Sequence, residues 1–97
     1  MLHRFGGNGL YILDEPEAAL SPTRQMAMLT RMHELINKQS QFIIATHSPI
    51  ILSYPYANIY EILNGKMQKS SYAETEHYSI TKDFLNSPEL FLKSLLY

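Results

Sequence analysis

The sequence predicts an α/β fold in which a partial parallel sheet is followed by a β-hairpin and short C-terminal helices. Two continuous apolar runs, Leu10 to Leu13 and Phe42 to Ala45, are typical of parallel strands that are buried on both faces. An amphipathic stretch separates them, and the dipeptide Asn64-Gly65 is a strong signal for a two-residue hairpin turn. The order of strand, helix, strand and hairpin therefore predicts the α/β class with an antiparallel edge.

The first predicted strand, Leu10 to Leu13, lies between two segments that favour turns. Gly6-Gly7-Asn8-Gly9 precedes it, and so many glycines in four residues predict a flexible turn. Asp14-Glu15-Pro16 closes the apolar run on the other side. Two carboxylates are therefore expected directly after a buried strand.

The first predicted helix begins at Ser21-Pro22, with serine as the N-cap and proline at the first helical position. Its apolar residues fall on one stripe about 120° wide, as in a helix that buries one face. We expect the helix to run to about Gln39. The residues of the apolar stripe are Met28, Leu29, Met32, Leu35 and Ile36.

The second half of the chain also divides into short elements. A second buried strand over Gln41 to Ala45 should end at Thr46-His47-Ser48-Pro49, because proline lacks a backbone donor and restricts the residue before it. Asn58 to Leu63 alternates enough to form a strand, and Lys66 to Tyr72 is the expected return strand of the hairpin. Two helices are expected in the tail, at Ser79 to Asn86 and at Ser87 to Leu96.

Composition excludes several classes of function. The chain has 97 residues, which suits one small domain, and 8 Lys and Arg against 9 Asp and Glu give a net charge of −1. Such a chain does not grip nucleic acid or an anionic membrane by charge alone. The absence of cysteine excludes a disulfide scaffold, thiol catalysis and cysteine-based zinc sites. Because no apolar run approaches the roughly 20 residues of a membrane span, and none resembles a signal peptide, we expect a cytoplasmic protein.

Three polar side chains are predicted to share one edge of the sheet. Asp14 and Glu15 follow the first buried strand and His47 follows the second, and ligands of open α/β sheets bind at the carboxyl ends of strands. Asp14 is placed to hold Mg²⁺, Glu15 to polarise an attacking water, and His47 to hydrogen-bond a terminal phosphate. The alternative is that the acids are solvated loop residues and that the histidine is bonded to a nearby carbonyl group.

Glu74, Glu76 and His77 form a further group of possible metal ligands. No pair of histidines has metal-ligand spacing in this segment, so a solvated loop before a helix is the favoured interpretation.

Four segments, in order, resemble the second half of an ABC-type ATPase domain. Leu10 to Pro16 looks like the Walker B strand with its following glutamate, and Ala19-Leu20-Ser21-Pro22 looks like the D-loop. Ala45 to Pro49 looks like the switch or H-loop, and Asn58 to Lys66 resembles the strand-turn-strand that follows it. With Glu17, the motif Asp-Glu-Pro-Glu is closest to stand-alone AAA family ATPases with ABC-like domains. The resemblance covers nearly the whole chain.

This resemblance implies roles for five residues and a P-loop NTPase-like sheet. Asp14 would support Mg²⁺, Glu15 would be the general base, and His47 would sense the γ-phosphate. Ser21 and Pro22 would lie at a dimer contact near the nucleotide. The implied cofactors are ATP and Mg²⁺, and the implied assembly is a homodimer of the full protein.

The family's P-loop, G-x-x-x-x-G-K-[S/T], does not occur in the sequence. The chain is therefore expected to be the C-terminal part, 1–97, of a single ABC-type domain that needs an N-terminal P-loop half and does not hydrolyse ATP alone. In the family's sheet the P-loop strand lies beside the strand that leads to His47, so we also expect the isolated chain to be marginally stable or self-associating. The alternatives are a non-catalytic interaction module and a truncated remnant without function.

Overall fold

The computed structural model describes residues 2–3, as backbone, and residues 9–97. Most of the predicted glycine-rich turn, residues 6–8, lies outside them. The chain divides into two compact units, Met1–Pro55 and Tyr56–Tyr97. The predicted mixed α/β class is confirmed, with a small parallel sheet in the first unit and an antiparallel hairpin in the second. None of the helices among the described residues has the length and apolar character needed to span a membrane.

The first unit contains a three-stranded sheet in the order β1-β2-β3. β1 (Leu2–His3) pairs antiparallel with β2 (Leu10–Asp14), and β2 pairs in parallel with β3 (Gln41–Ala45). β3 has the predicted bounds, and β2 extends one residue beyond its predicted end. β1 was not predicted, because two residues are too few to show a strand pattern. The parallel register ends at the pair Asp14 and Ala45, so the carboxyl ends of the two strands are level.

Helix α1 (Pro22–Asn37) connects the two parallel strands. Its predicted N-cap is confirmed, because Ser21 Oγ accepts a hydrogen bond from the backbone N–H of Arg24 at 3.2 Å. The helix ends two residues earlier than expected, since Gln39 has a left-handed backbone with φ of 68°. Met32, from the predicted apolar stripe, is the buried residue of the helix.

Among the described residues, the two parallel strands are covered on one face only, so the prediction of burial on both faces is wrong. Tyr11 and Leu13 are buried on the covered face, where the Tyr11 ring stacks on Phe42 at 4.7 Å between ring centroids. On the other face, Ile12 is 42% exposed and its register partner Ile43 is 54% exposed. α1, the one long helix described in this unit, packs against this sheet through contacts with β3.

A short helix that the sequence did not predict, α2 (Pro49–Leu52), follows β3. Ser48 Oγ caps it by accepting hydrogen bonds from the backbone N–H groups of Ile50 and Ile51, each at 3.2 Å. Pro49 therefore both ends the extended segment and begins the helix. α2 packs against α1, with Ile51 buried.

The second unit begins with the predicted hairpin of β4 (Ile59–Leu63) and β5 (Lys66–Ser70). Asn64 and Gly65 form the turn with φ values of 52° and 75°. Two successive positive φ values are what a type I′ turn requires, and they explain why this dipeptide predicted the hairpin.

Two helices complete the second unit, α3 (Glu76–Asn86) and α4 (Pro88–Leu96). The predicted start of α3 at Ser79 is wrong, because Thr75 is the N-cap and accepts a hydrogen bond from the N–H of Tyr78 at 3.3 Å. Thr75 is 0% exposed, and its hydroxyl also donates to the carbonyl of Tyr72 at 2.7 Å. Glu76 therefore lies in the first turn of a helix and not in a loop.

Candidate functional site

The backbone after β2 turns sharply at Glu15. The N–H of Glu15 donates to the carbonyl of Ala45 at 2.8 Å, which continues the β2–β3 ladder by one bond. Glu15 itself has φ of 46° and ψ of 56°, a left-handed conformation that is uncommon outside glycine and is concentrated at functional sites. The chain then enters a 3₁₀ turn at Pro16–Ala19. Glu15 is thereby fixed at the carboxyl edge of the sheet.

The side chains of Glu15 and His47 are in contact. Glu15 Oε1 lies 3.0 Å from His47 Nδ1, and the two side chains are 55% and 68% exposed, respectively. The contact follows from the parallel register, because it brings the ends of β2 and β3 to the same level. The structure thus joins the two residues that the sequence proposed as general base and phosphate sensor, in a position open to a ligand.

Glu17 also lies at this edge, although the sequence analysis gave it no role. Its Oε1 accepts a hydrogen bond from Thr46 Oγ1 at 2.6 Å, and its Oε2 accepts one from the backbone N–H of His47 at 2.9 Å. Burial raises the pKa of Glu17, but the bonds from Thr46 and His47 outweigh burial and hold this pKa below its ordinary value of 4.5. Glu17 is therefore a carboxylate at neutral pH.

Glu15, Glu17 and His47 form one compact group of possible ligands. One ligand atom from each lies within 4.8 Å of the others, and no second group of three such residues occurs among the described residues. Asp14, the predicted Mg²⁺ ligand, is not in this group, although it is exposed at the end of β2. The tail residues Glu74, Glu76 and His77 do not form such a group either.

The carboxylates at this edge, Asp14 among them, are oxygen ligands of the kind that Mg²⁺ takes. Mg²⁺ takes one or two carboxylates and fills its other positions with water and phosphate oxygens, which suits a single exposed aspartate. An imidazole beside two carboxylates is closer to the preference of transition metals. The edge thus offers two candidate sets of ligands, the exposed Asp14 and the group of Glu15, Glu17 and His47.

A chain of hydrogen bonds supports the loop that carries His47. Thr46 Oγ1 accepts from the N–H of Ser48 at 3.0 Å, and Ser48 Oγ donates to Gln25 Oε1. Gln25 Nε2 in turn donates to the carbonyl of Leu20 at 3.2 Å. The loop after β3 is therefore tied to α1 and to the end of the 3₁₀ turn.

Ser21 and Pro22 lie at the N-terminus of α1. Both are exposed at the start of α1, where Ser21 is the N-cap and Pro22 the first helical residue. Their positions account for how the helix begins. They are also accessible to a second chain.

Sequence reasoning missed Glu17 because its partners lie 29 and 30 residues further along the chain. A usable signal was nevertheless present. The residues after β3 carry hydroxyl and backbone donors, and an acid placed one turn beyond the end of the neighbouring parallel strand is within their reach.

The comparisons with known proteins point to nucleotide chemistry. A family model described as AAA ATPase domain matches residues 4–52, just over half of the chain. This match includes β2, α1, β3 and α2, and so it includes every residue of the edge described above. Among curated proteins and solved structures, none matches the chain.

Proposed function

Because the chain belongs to the AAA ATPase domain family, we propose that it supplies the water-activating edge of an ATP-hydrolysing site. In this proposal Glu15 is the general base and His47 contacts the γ-phosphate. The chain acts as the Walker B, D-loop and H-loop segment of an ABC-like ATPase. The phosphate-binding P-loop comes from the N-terminal half of the same domain.

The observation that carries the proposal is the 3.0 Å contact between Glu15 Oε1 and His47 Nδ1. A general base must reach the proton that it removes, and both side chains are exposed at the edge where α/β sheets bind ligands. A water held between the Glu15 carboxylate and a terminal phosphate would lose its proton to Glu15 during attack. The imidazole of His47 would donate a hydrogen bond to the phosphate oxygens, on which negative charge is concentrated.

Asp14 has a separate role in the proposal. Its carboxylate would hold Mg²⁺ directly or through water, which leaves Glu15 free of the metal. When bound, Mg²⁺ neutralises charge on the phosphates. The exposure of Asp14 at the end of β2 supports this assignment.

Ser21 and Pro22 supply the contact with a second copy in this proposal. The exposed start of α1 would face the nucleotide site of the partner in a homodimer of the full protein. Their exposure and their position just after the 3₁₀ turn support the assignment.

The second candidate function is a non-catalytic interaction module. The specific observation in its favour is the exposed apolar pair Ile12 and Ile43, on the sheet face opposite α1. Under this alternative the chain binds a partner through that face, and the acidic edge has no part in turnover.

One turnover experiment separates the two functions. The chain is mixed with the P-loop half of its domain, and Mg²⁺-dependent release of phosphate from ATP is measured. We expect turnover that falls about 100-fold or more in Glu15→Gln, the range in which general bases contribute. Glu61→Gln, a glutamate outside the site, is the matched control and should keep the wild-type rate. Turnover that is unchanged in Glu15→Gln contradicts the proposal.

A further inference from the structure

Glu17 has no role in the proposed reaction, yet its carboxylate accepts a hydrogen bond from the backbone N–H of His47. We propose that Glu17 is a positioning residue that holds the His47 imidazole against Glu15. The inference rests on the proposed function, since it assigns a role within the same site. Glu17 does not take part in the chemistry itself under this assignment.

Both carboxylate oxygens of Glu17 accept hydrogen bonds from consecutive residues. Oε1 accepts from the hydroxyl of Thr46 at 2.6 Å, and Oε2 accepts from the N–H of His47 at 2.9 Å. Two bonds to adjacent residues fix both the place and the direction in which the backbone leaves β3. The direction of the His47 side chain follows from that backbone.

The His47 imidazole lies in a largely exposed position. The His47 side chain is 68% exposed, and Glu15, its partner at 3.0 Å, is 55% exposed. A contact between two such exposed side chains is weak by itself and does not hold them in one geometry. The contact between the two residues therefore depends on where the backbone presents the ring.

Glu17 also affects the rest of the loop through Thr46. The hydroxyl of Thr46 donates its single proton to Glu17 and accepts the N–H of Ser48 at 3.0 Å. Without an acceptor at Glu17, this hydroxyl is free to rotate, and its bond to Ser48 is no longer directed. Glu17 thus orders three successive residues of the loop, Thr46 to Ser48.

Glutamine is a sharp test of this arrangement. Glu17→Gln keeps the size of the side chain but leaves one acceptor oxygen for two donors. The amide NH₂ group then faces either the N–H of His47, which cannot accept a hydrogen bond, or the hydroxyl of Thr46, which must turn its own proton away and accept instead of donating. Thr46→Val removes the hydroxyl that donates to Glu17, whereas Thr46→Ser retains it.

The first experiment examines the 97-residue chain by NMR, without nucleotide. We expect a nuclear Overhauser contact between the His47 ring and the Glu15 side chain in wild type. This contact should be lost in Glu17→Gln, and the His47 amide should exchange with solvent about tenfold faster or more. Glu61→Gln, which removes an equivalent carboxylate in the other unit, should leave both readouts unchanged. An unchanged contact and exchange rate in Glu17→Gln overturn the inference.

The second experiment measures ATP turnover in the mixture with the P-loop half. A misplaced catalytic group costs rate, so we expect kcat to fall about 10- to 100-fold in Glu17→Gln, with KM within about twofold. Thr46→Ser should retain the wild-type kcat, and Thr46→Val should lower it. If Glu17→Gln does not fold by circular dichroism, the two Thr46 variants decide the matter, and equal kcat values in them overturn the inference.

The two experiments also separate the inference from the proposed function. A wild-type rate that depends on Glu15 but not on Glu17 or Thr46 overturns positioning and leaves the ATPase proposal standing. A wild-type mixture without turnover contradicts the ATPase proposal, and the NMR contact then decides whether Glu17 holds His47.

Discussion

Glu17 and Glu61 carry the same hydrogen bonds in two different units of the molecule. Each carboxylate accepts one bond from a hydroxyl at 2.6 Å and one from a backbone N–H at 2.9 Å. The donors are Thr46 and His47 for Glu17, and Ser70 and Glu76 for Glu61. The pKa of Glu61 is also below its ordinary value of 4.5, chiefly because of the hydrogen bond from Ser70.

The difference lies in what the two carboxylates hold. Glu61 accepts a hydrogen bond from the backbone N–H of Glu76, the first residue of α3. The N–H groups of the first helical turn have no partner within the helix, and a negative charge beside them stabilises the helix. Glu17 accepts the N–H of His47, whose side chain contacts Glu15. The same bonds therefore join a hairpin to a helix in one unit and, in the other, hold the backbone of a residue whose side chain contacts Glu15. The function of such a carboxylate therefore depends on what its hydrogen-bond donors contact in turn.

The largest expected loss of ATP turnover is that of Glu15→Gln, and a double variant then tests whether Glu17 acts through Glu15. Glu15→Gln should lower ATP turnover in the mixture about 100-fold or more. If Glu17 acts through the Glu15–His47 pair, adding Glu17→Gln to Glu15→Gln should cost less than about threefold further, because the pair is already broken. Independent effects, with the two losses multiplying, would show that Glu17 acts elsewhere.

A smaller effect tests the structural side. Thr75 precedes the residue that Glu61 binds, and it is fully buried with two hydrogen bonds. Thr75→Ala should lower the free energy of unfolding by about 1–2 kcal/mol. Ser21→Ala, at an exposed cap with one bond, should lower it by about 0.5–1 kcal/mol. Urea denaturation followed by circular dichroism measures both values, and a larger loss for Ser21→Ala contradicts this interpretation.

Acid should weaken both carboxylate contacts. The pKa of Glu17 and of Glu61 is lowered in the folded chain, so each contribution to stability is fully present above about pH 4.5. It is lost as the pH falls below that value and through the lowered pKa. Glu17→Gln and Glu61→Gln should each flatten this acid dependence, as measured by melting temperature between pH 3 and pH 7. A variant with the full wild-type dependence would show that its carboxylate does not stabilise the fold.

The smallest expected effect on stability comes from the exposed face of the parallel sheet. Ile43→Thr should change the free energy of unfolding by less than about 0.5 kcal/mol, because the side chain is already exposed. It should also weaken self-association, as measured by sedimentation. Ile44→Thr, on the covered face, is the matched control and should destabilise the chain more. Equal losses would mean that both faces are covered.

Local signals explain which parts of the fold were predictable. The bounds of β3, the N-cap of α1 and the Asn64-Gly65 turn each follow from a few adjacent residues, and the structure confirms them. β1 and α2 contain two and four residues, which are too few to show a period. Ile12 and Ile43 were predicted to be buried because they belong to apolar runs. Whether such side chains are buried depends on which elements pack against them, and both are exposed in the structure.

The sequence could predict at which edge of the sheet the candidate site lies, but not which side chains are in contact there. Parallel strands place Glu15 and His47 at the same end of a sheet, so their proximity could be expected from the sequence. The role of Glu17 could not, because it depends on a left-handed residue and a 3₁₀ turn that return its side chain to the neighbouring strand. The grouping of Glu17 with Glu15 and His47, without Asp14, is therefore a property of the folded chain.

The most direct test of this account is the ratio of kcat values for Glu17→Gln and Glu61→Gln in the ATP-hydrolysing mixture. Both substitutions replace one carboxylate oxygen that accepts a hydrogen bond. They differ in the residue whose N–H the carboxylate binds, which is His47 for Glu17 and Glu76 for Glu61. If Glu17 positions His47, kcat in Glu17→Gln is about 10- to 100-fold lower than in Glu61→Gln. Equal values in an active mixture would contradict this role.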